Sequence, residues 1–151
     1  MRRCVTEDSN YAAIQVTGYV SLTVNSSHIS GRYYGIKVVA LYRIPGRVSV
    51  ENSEIRGGTY GIWCSGTSTD CRVVNSHLQS ITCQKVRSCT VERCVMNSSD
   101  SNQQIINANS VQTLVIDSNI IANNTSEQSD QTVRVSHCNA VQARSFLPFS
   151  S

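Results

Sequence analysis

The segment Val24-Asn25-Ser26-Ser27-His28-Ile29 returns as Val50-Glu51-Asn52-Ser53-Glu54-Ile55, as Val73-Val74-Asn75-Ser76-His77-Leu78 and as Val115-Ile116-Asp117-Ser118-Asn119-Ile120. Weaker copies centre on Ser9, Cys94 and Cys138. Anchored on the small residue, the copies fall at positions 9, 27, 53, 76, 94, 118 and 138, with steps of 18 to 26 residues. A repeat of this length constrains the chain more than its composition does. One such unit cannot bury its apolar face alone, so successive units must stack into an array with a continuous core.

The columns of the alignment name the secondary structure. Three residues before the anchor stand Thr6, Val24, Val50, Val73, Val91, Val115 and Val135; five before it stand Cys4, Leu22, Val48, Cys71, Cys89, Thr113 and Val133. Positions two apart share one face of a strand. Two residues after the anchor come Tyr11, Ile29, Ile55, Leu78, Met96, Ile120 and Ala140, an inward position regained after a tight corner. Val and Ile total 30 against 5 Leu, and β-branched side chains suit a pleated sheet. The scarcity of Leu argues against leucine-rich repeats, and amphipathic helices for a helical array are absent. Just before the anchor stand Asp8, Ser26, Asn52, Asn75, Arg93, Asp117 and His137, and Asn and Asp tolerate the left-handed backbone that a sharp corner needs. The expected fold is all-β, a parallel β-helix solenoid of about seven coils over residues 1–142, with residues 143–151 a C-terminal tail or cap.

The second half of each coil varies. Tyr34-Gly35-Ile36 and Tyr60-Gly61-Ile62 match each other, and Ile14-Gln15-Val16 and Ile81-Thr82-Cys83 take the same place in shorter coils. The polar segments 65–70, 97–104 and 123–131 read as loops. With these corners in view, 24–36 and 50–62 resemble the repeat of the pectin-lyase-like superfamily, over most of the chain from Cys4 to Val141. The resemblance implies a right-handed coil. It implies no single activity, because that superfamily holds polysaccharide lyases, glycoside hydrolases, phage tailspikes and non-catalytic scaffolds.

The strand after the Tyr-Gly-Ile element carries the first candidate site. Its outward residues on successive coils are Gln15, Lys37, Trp63 and Thr82, with Tyr33, Tyr34 and Tyr60 beside them. By resemblance this strand belongs to the sheet that lines a saccharide cleft. Exposed rings stack on sugar C–H faces, while amide and ammonium donors take hydroxyls and carboxylates. The expected ligand-binding residues are therefore Trp63, Lys37, Gln15, Thr82, Tyr34 and Tyr60. That column holds no acid, whereas ordinary glycosidases need two carboxylates flanking one bond, and Asp70 and Asp100 fall in separate loops.

A second column, one past the anchor, brings His28, Glu54 and His77 onto three successive coils. A carboxylate between two imidazoles can hold a metal or relay a proton, and it can equally be a charge-compensated ladder. These three are weak catalytic candidates. The recurring Glu7, Glu51 and Glu92 read as solvated surface. No metal site and no cofactor is expected.

Seven Cys is an odd number, and none shows Cys-x-x-Cys spacing. Cys4, Cys71 and Cys89 share one inward column, Cys64 and Cys83 another, and Cys94 and Cys138 sit at the anchor. They read as small buried hydrophobes. Cys71 with Cys89, and Cys64 with Cys83, would be neighbours on successive coils and disulfide candidates in an extracellular setting. Sequons such as Asn25-Ser26-Ser27 carry little weight in a chain with 23 Ser and 12 Asn.

A net charge of +3 leaves no footprint for nucleic acid. No apolar run reaches the roughly 18 residues of a membrane span, and Met1-Arg2-Arg3-Cys4 does not read as a signal peptide. An uncapped first coil invites association, so either the chain continues or a partner covers the end. The leading expectation is a glycan-recognising or structural module of a virion appendage (tailspike- or fibre-like) or of a cell-surface protein. It would be virion-borne or extracellular and oligomeric, with a trimer favoured by the tailspike resemblance. The alternatives are a small polysaccharide lyase or glycoside hydrolase, and a scaffold with no ligand.

Overall fold

The computed structural model describes the backbone of residues 5–9, 11–41, 43–98, 106–117, 119–123, 133–136, 140–143 and 146–150, and the side chains of 11–41, 43–97 and 106–117. Strand β1 (Val5–Ser9) leads into a first full coil of β2 (Ala12–Gly18), β3 (Ser21–Asn25) and β4 (His28–Gly31). The second coil is β5 (Tyr34–Ala40), β6 (Gly46–Glu51) and β7 (Glu54–Gly57). The third is β8 (Tyr60–Ser65), β9 (Thr69–Val74) and β10 (His77–Leu78), and the fourth is β11 (Ile81–Gln84), β12 (Ser88–Glu92) and β13 (Val95–Ser98). Beyond them lie β14 (Ile106–Asn109), β15 (Thr113–Asp117), β16 (Asn119–Asn123), β17 (Val133–Ser136), β18 (Ala140–Ala143) and β19 (Phe146–Ser150).

Each strand pairs in parallel with its counterpart one coil away, so the coils build three sheets. Face I is β2-β5-β8-β11-β14-β17, face II is β3-β6-β9-β12-β15-β18, and face III is β1-β4-β7-β10-β13-β16-β19. The protein is an all-β parallel solenoid. The expected seven coils reduce to about four well-defined turns, β2 to β13, which the outer strands extend at both ends.

The interior is a set of apolar ladders. Val24, Val50, Val73, Val91 and Ile116 follow one another along face II, and Ile36, Ile62, Ile81 and Ile106 along face I. Ile29, Ile55, Leu78 and Met96 line face III. All are at most 3% exposed. Each buried aliphatic side chain contributes about 1.5–3 kcal/mol, and each stacks on another apolar side chain of its ladder, which favours this register.

Two columns of left-handed backbone turn the coil. Ser26, Asn52, Asn75 and Arg93, the residues just before the small anchor, have φ of 51°, 51°, 49° and 49° between faces II and III. Gly18, Arg43, Gly66, Lys85 and Ser110 have positive φ between faces I and II. The third corner uses close approach instead. A Cβ on Gly35 would stand 2.7 Å from the carbonyl oxygens of Arg56 and Gly61, and one on Gly61 2.6 Å from that of Ser80. Glycine there lets the backbone swing inward, while Tyr34 and Tyr60 project outward.

The repeat register holds at the centre and fails at both ends. Thr6 pairs with Ile29 on face III rather than stacking on Val24, and Tyr11 is 47% exposed rather than inward. Val133 and Val135 join Ile106 and Ala108 on face I, while Thr113 pairs with Ala140. Cys89 and Val91 pair with Leu114 and Ile116, not with Thr113 and Val115, and Met96 pairs with Ile121 rather than Ile120. A one-residue slip exchanges the two sides of a strand. Leu114 and Ile116 are stronger claimants for the interior than Thr113 and Val115.

Candidate functional site

Face I brings Gln15, Lys37, Trp63 and Thr82 into one ladder, in that order. Tyr34 stacks on Tyr60 with ring centroids 5.2 Å apart and planes 14° apart. Trp63 meets Tyr34 edge-on at 6.3 Å. Tyr11, just before β2, adds a further ring 5.3 Å from Tyr34 and 6.0 Å from Tyr33. Five rings therefore form one continuous aromatic strip that crosses three coils. Tyr33 is 45% exposed, and Arg32 lies over its ring at 5.8 Å.

Lys37 sits in the middle of the strip. Its Nζ is 4.8 Å from the centroids of both Tyr11 and Tyr34 and 5.6 Å from that of Trp63. It also donates a 2.6 Å hydrogen bond to Tyr11 Oη. A cation held over several ring faces is attracted by their quadrupoles. That hydrogen bond holds the Tyr11 phenol below its ordinary pKa. Burial pushes Tyr34 above its ordinary value, against the pull of Lys37.

Two expectations for this face are corrected. Thr82 keeps its outward place in the ladder between Trp63 and Asn107, yet it is only 3% exposed, so it offers almost no surface to a ligand. Trp63 is half-buried against Tyr34 rather than fully open. Sequence reasoning missed Tyr11 as a member, because its column assignment placed it inside. The Lys37–Tyr11 bond spans 26 residues of sequence and becomes visible only once the coils are stacked.

On face III the register sets His28 and His77 on either side of Glu54. Glu54 Oε2 is 2.9 Å from His28 Nδ1, and its Oε1 is 2.7 Å from Arg56 Nη2. Burial acts to raise the Glu54 pKa, but the bonds from His28 and Arg56 outweigh it and hold the carboxyl below its ordinary range. His77 is exposed. With Glu54, Arg56, Gln79 and Asn97 it lines an open cleft of about 280 Å³ floored by Leu78 and Val95. The arrangement is a charge-compensated ladder with an ionised carboxylate, and a general acid needs the opposite, a raised pKa. Among the described residues no group of three or more His, Cys, Asp or Glu is placed to hold a metal ion.

Face II carries ion pairs. Arg72 reaches Glu51 at 2.9 Å and Glu92 at 3.8 Å, so these glutamates are bridged rather than merely solvated. Asp70 lies in β9, not in a loop, and binds Arg87 and Ser88. The Arg87 bond holds its carboxyl below the ordinary range. Asp100 lies outside the described residues, as do Cys4, Cys138 and the side chain of Glu7.

Comparison with known protein families, with curated proteins and with solved structures finds no match to this chain.

Proposed function

We propose that the protein is a glycan-recognising structural module built on a parallel β-solenoid, part of a virion appendage or cell-surface assembly, and that the aromatic strip of face I is its sugar contact. The observation that carries this reading is the five-ring strip around Lys37. Sugar rings present C–H faces to aromatic planes, and their hydroxyls or carboxylates take donors at the rim. The strip offers Tyr11 and Tyr33 as exposed rings, Lys37 and Arg32 as cations and Gln15 as an amide. The cations favour an acidic polysaccharide over a neutral one. Regularly spaced coils, each about 4.8 Å from the next, suit an extended ligand with repeating units. The tailspike-like assignment within the pectin-lyase-like superfamily rests on the repeat, and a trimer is the assembly it brings.

Affinity electrophoresis through gels containing acidic or neutral polysaccharides tests the reading, with light scattering for assembly state. The expected result is retardation by an acidic polysaccharide, lost in both Trp63→Ala and Lys37→Ala while the thermal midpoint stays within a few degrees. No retardation by any polysaccharide, or retention in both variants, overturns it.

A further inference from the structure

Four cysteines meet in the core at the corner between faces I and II. Cys64 and Cys83 are ladder neighbours on face I, and Cys71 and Cys89 are ladder neighbours on face II. All four are thiols at most 1% exposed. The sequence suggests pairing up the ladders. The geometry favours the other direction. Ladder neighbours lie parallel, with their backbones a strand spacing of about 4.8 Å apart, whereas side chains from two faces converge at the corner. Cys83 Sγ is 2.6 Å from Cys89 Sγ within one coil, approaching the bonded distance of about 2.05 Å. One coil earlier, Cys64 and Cys71 hold the equivalent ladder positions beneath Cys83 and Cys89, with Cys71 close to Cys64 and also to Cys83 and Cys89.

We infer that Cys83 and Cys89 form a disulfide across this corner, with Cys64 and Cys71 forming its counterpart one coil below, when the chain folds under oxidising conditions. The oxidant is a low-molecular-weight disulfide such as oxidised glutathione. The thiolate of one cysteine attacks a sulfur of the oxidant, breaking its S–S bond and releasing one thiolate. The second cysteine, once deprotonated, attacks the mixed disulfide and releases the other. The protein loses two electrons and two protons, and the oxidant is reduced to two thiols. Because the folded coils seal all four sulfurs from solvent, the exchange belongs to the folding chain before the corner closes. The inference stands apart from the glycan reading. It makes the corner a covalent modification site whose state records the compartment in which the chain folded.

The protein is refolded with glutathione redox buffer, blocked with iodoacetamide in denaturant, digested with trypsin without reduction and analysed by mass spectrometry. Lys85 and Arg87 lie between Cys83 and Cys89, so their bridge must join peptide 73–85 to peptide 88–93. Cys64 and Cys71 share peptide 57–72, so their bridge appears as that peptide lighter by two hydrogens and without alkyl groups. Both species together are the expected result, and in Cys83→Ala peptide 57–72 stays bridged while 88–93 is alkylated. Peptide 57–72 linked to both 73–85 and 88–93 overturns the inference, because it reports pairing up the ladders. Full alkylation of these four cysteines, or their linkage to the peptides of Cys4, Cys94 or Cys138, overturns it as well.

Discussion

The small residues at the repeat anchor form a hydrogen-bonded stack, and replacing the middle one tests how the solenoid is held together. Ser53 Oγ donates to the Glu51 carbonyl at 2.7 Å and accepts from the Ser27 N–H at 3.1 Å. The next coil repeats the device: the Ser53 N–H donates to Ser76 Oγ at 3.2 Å, and that hydroxyl donates to the Val74 carbonyl at 2.8 Å. Ser53 is 5% exposed, so water does not replace what it provides. Ser53→Ala removes one intramolecular bond, worth about 1 kcal/mol net, and takes the acceptor from a buried amide, at about 1–3 kcal/mol. The expected loss is about 2–4 kcal/mol, or about 4–16 °C in thermal midpoint at about 2–4 °C per kcal/mol for a chain of this size. Cys94 occupies the equivalent place one coil further on and donates to the Glu92 carbonyl at 3.2 Å. Ser53→Cys therefore costs less than Ser53→Ala. Urea unfolding followed by circular dichroism measures both. A Ser53→Ala cost below about 0.5 kcal/mol, or equal costs for the two variants, refutes the reasoning.

Two further perturbations follow from individual groups. Thr69 Oγ1 is the one buried side-chain polar atom among the described residues without a hydrogen-bond partner, and removing such a group with its shape kept is neutral or stabilising. Thr69→Val should raise stability by up to about 1 kcal/mol in the same urea assay, and a loss of stability would show that the hydroxyl is satisfied. Glu54 and Asp70 both have depressed folded-state pKa values, so their contribution is present above the ordinary carboxylate values of about 4 and is lost as pH falls through the folded ones. Each pair is half-exposed, which keeps its worth below about 1 kcal/mol. Stability profiles between pH 7 and pH 2 should therefore decline below about pH 4, less steeply in Glu54→Gln, and identical slopes would mean that the His28 and Arg56 bonds do not form in solution.

The sequence revealed the solenoid because its core is self-similar. Val24, Val50, Val73 and Val91 face the same neighbours, so one physical demand writes the same letter four times. The left-handed corner was legible for the same reason, with Asn52 and Asn75 chosen for a backbone that few residues adopt. The ends were misread because Thr6, Val133 and Val135 are good residues for any of the three faces. An anchor on Ser9 or Cys138 then slides from one face to another at no visible cost. The face I ladder of Gln15, Lys37, Trp63 and Thr82 followed from strand alternation alone. What lay beyond reading was whether an outward residue is open: Thr82 points outward yet is covered, and Lys37 is drawn into the rings.

The two polar faces place their charges to opposite effect. On face III each Glu54 oxygen is met by a nitrogen of the same chain, His28 Nδ1 at 2.9 Å and Arg56 Nη2 at 2.7 Å, so both carboxylate oxygens are engaged within the coils. On face I the central charge is a cation that makes no ion pair with a carboxylate among the described residues. Lys37 is met by ring faces and the Tyr11 phenol, neither of which carries a countercharge, so its positive charge stays uncompensated. A chain that needed only to stack its coils could fill that ladder with Thr or Val, as it fills its neighbours. Holding an ammonium among five rings orders a long side chain and partly desolvates it, at a cost in side-chain entropy of up to about 2 kcal/mol. An anionic ligand that reaches Lys37 between Tyr11 and Trp63 finds the ammonium already ordered, and binding to a preordered group loses less entropy than binding to a mobile one. The aromatic strip is therefore the stronger place to test for a partner, and the acidic polysaccharide proposed for it is the ligand class whose charge would complement Lys37.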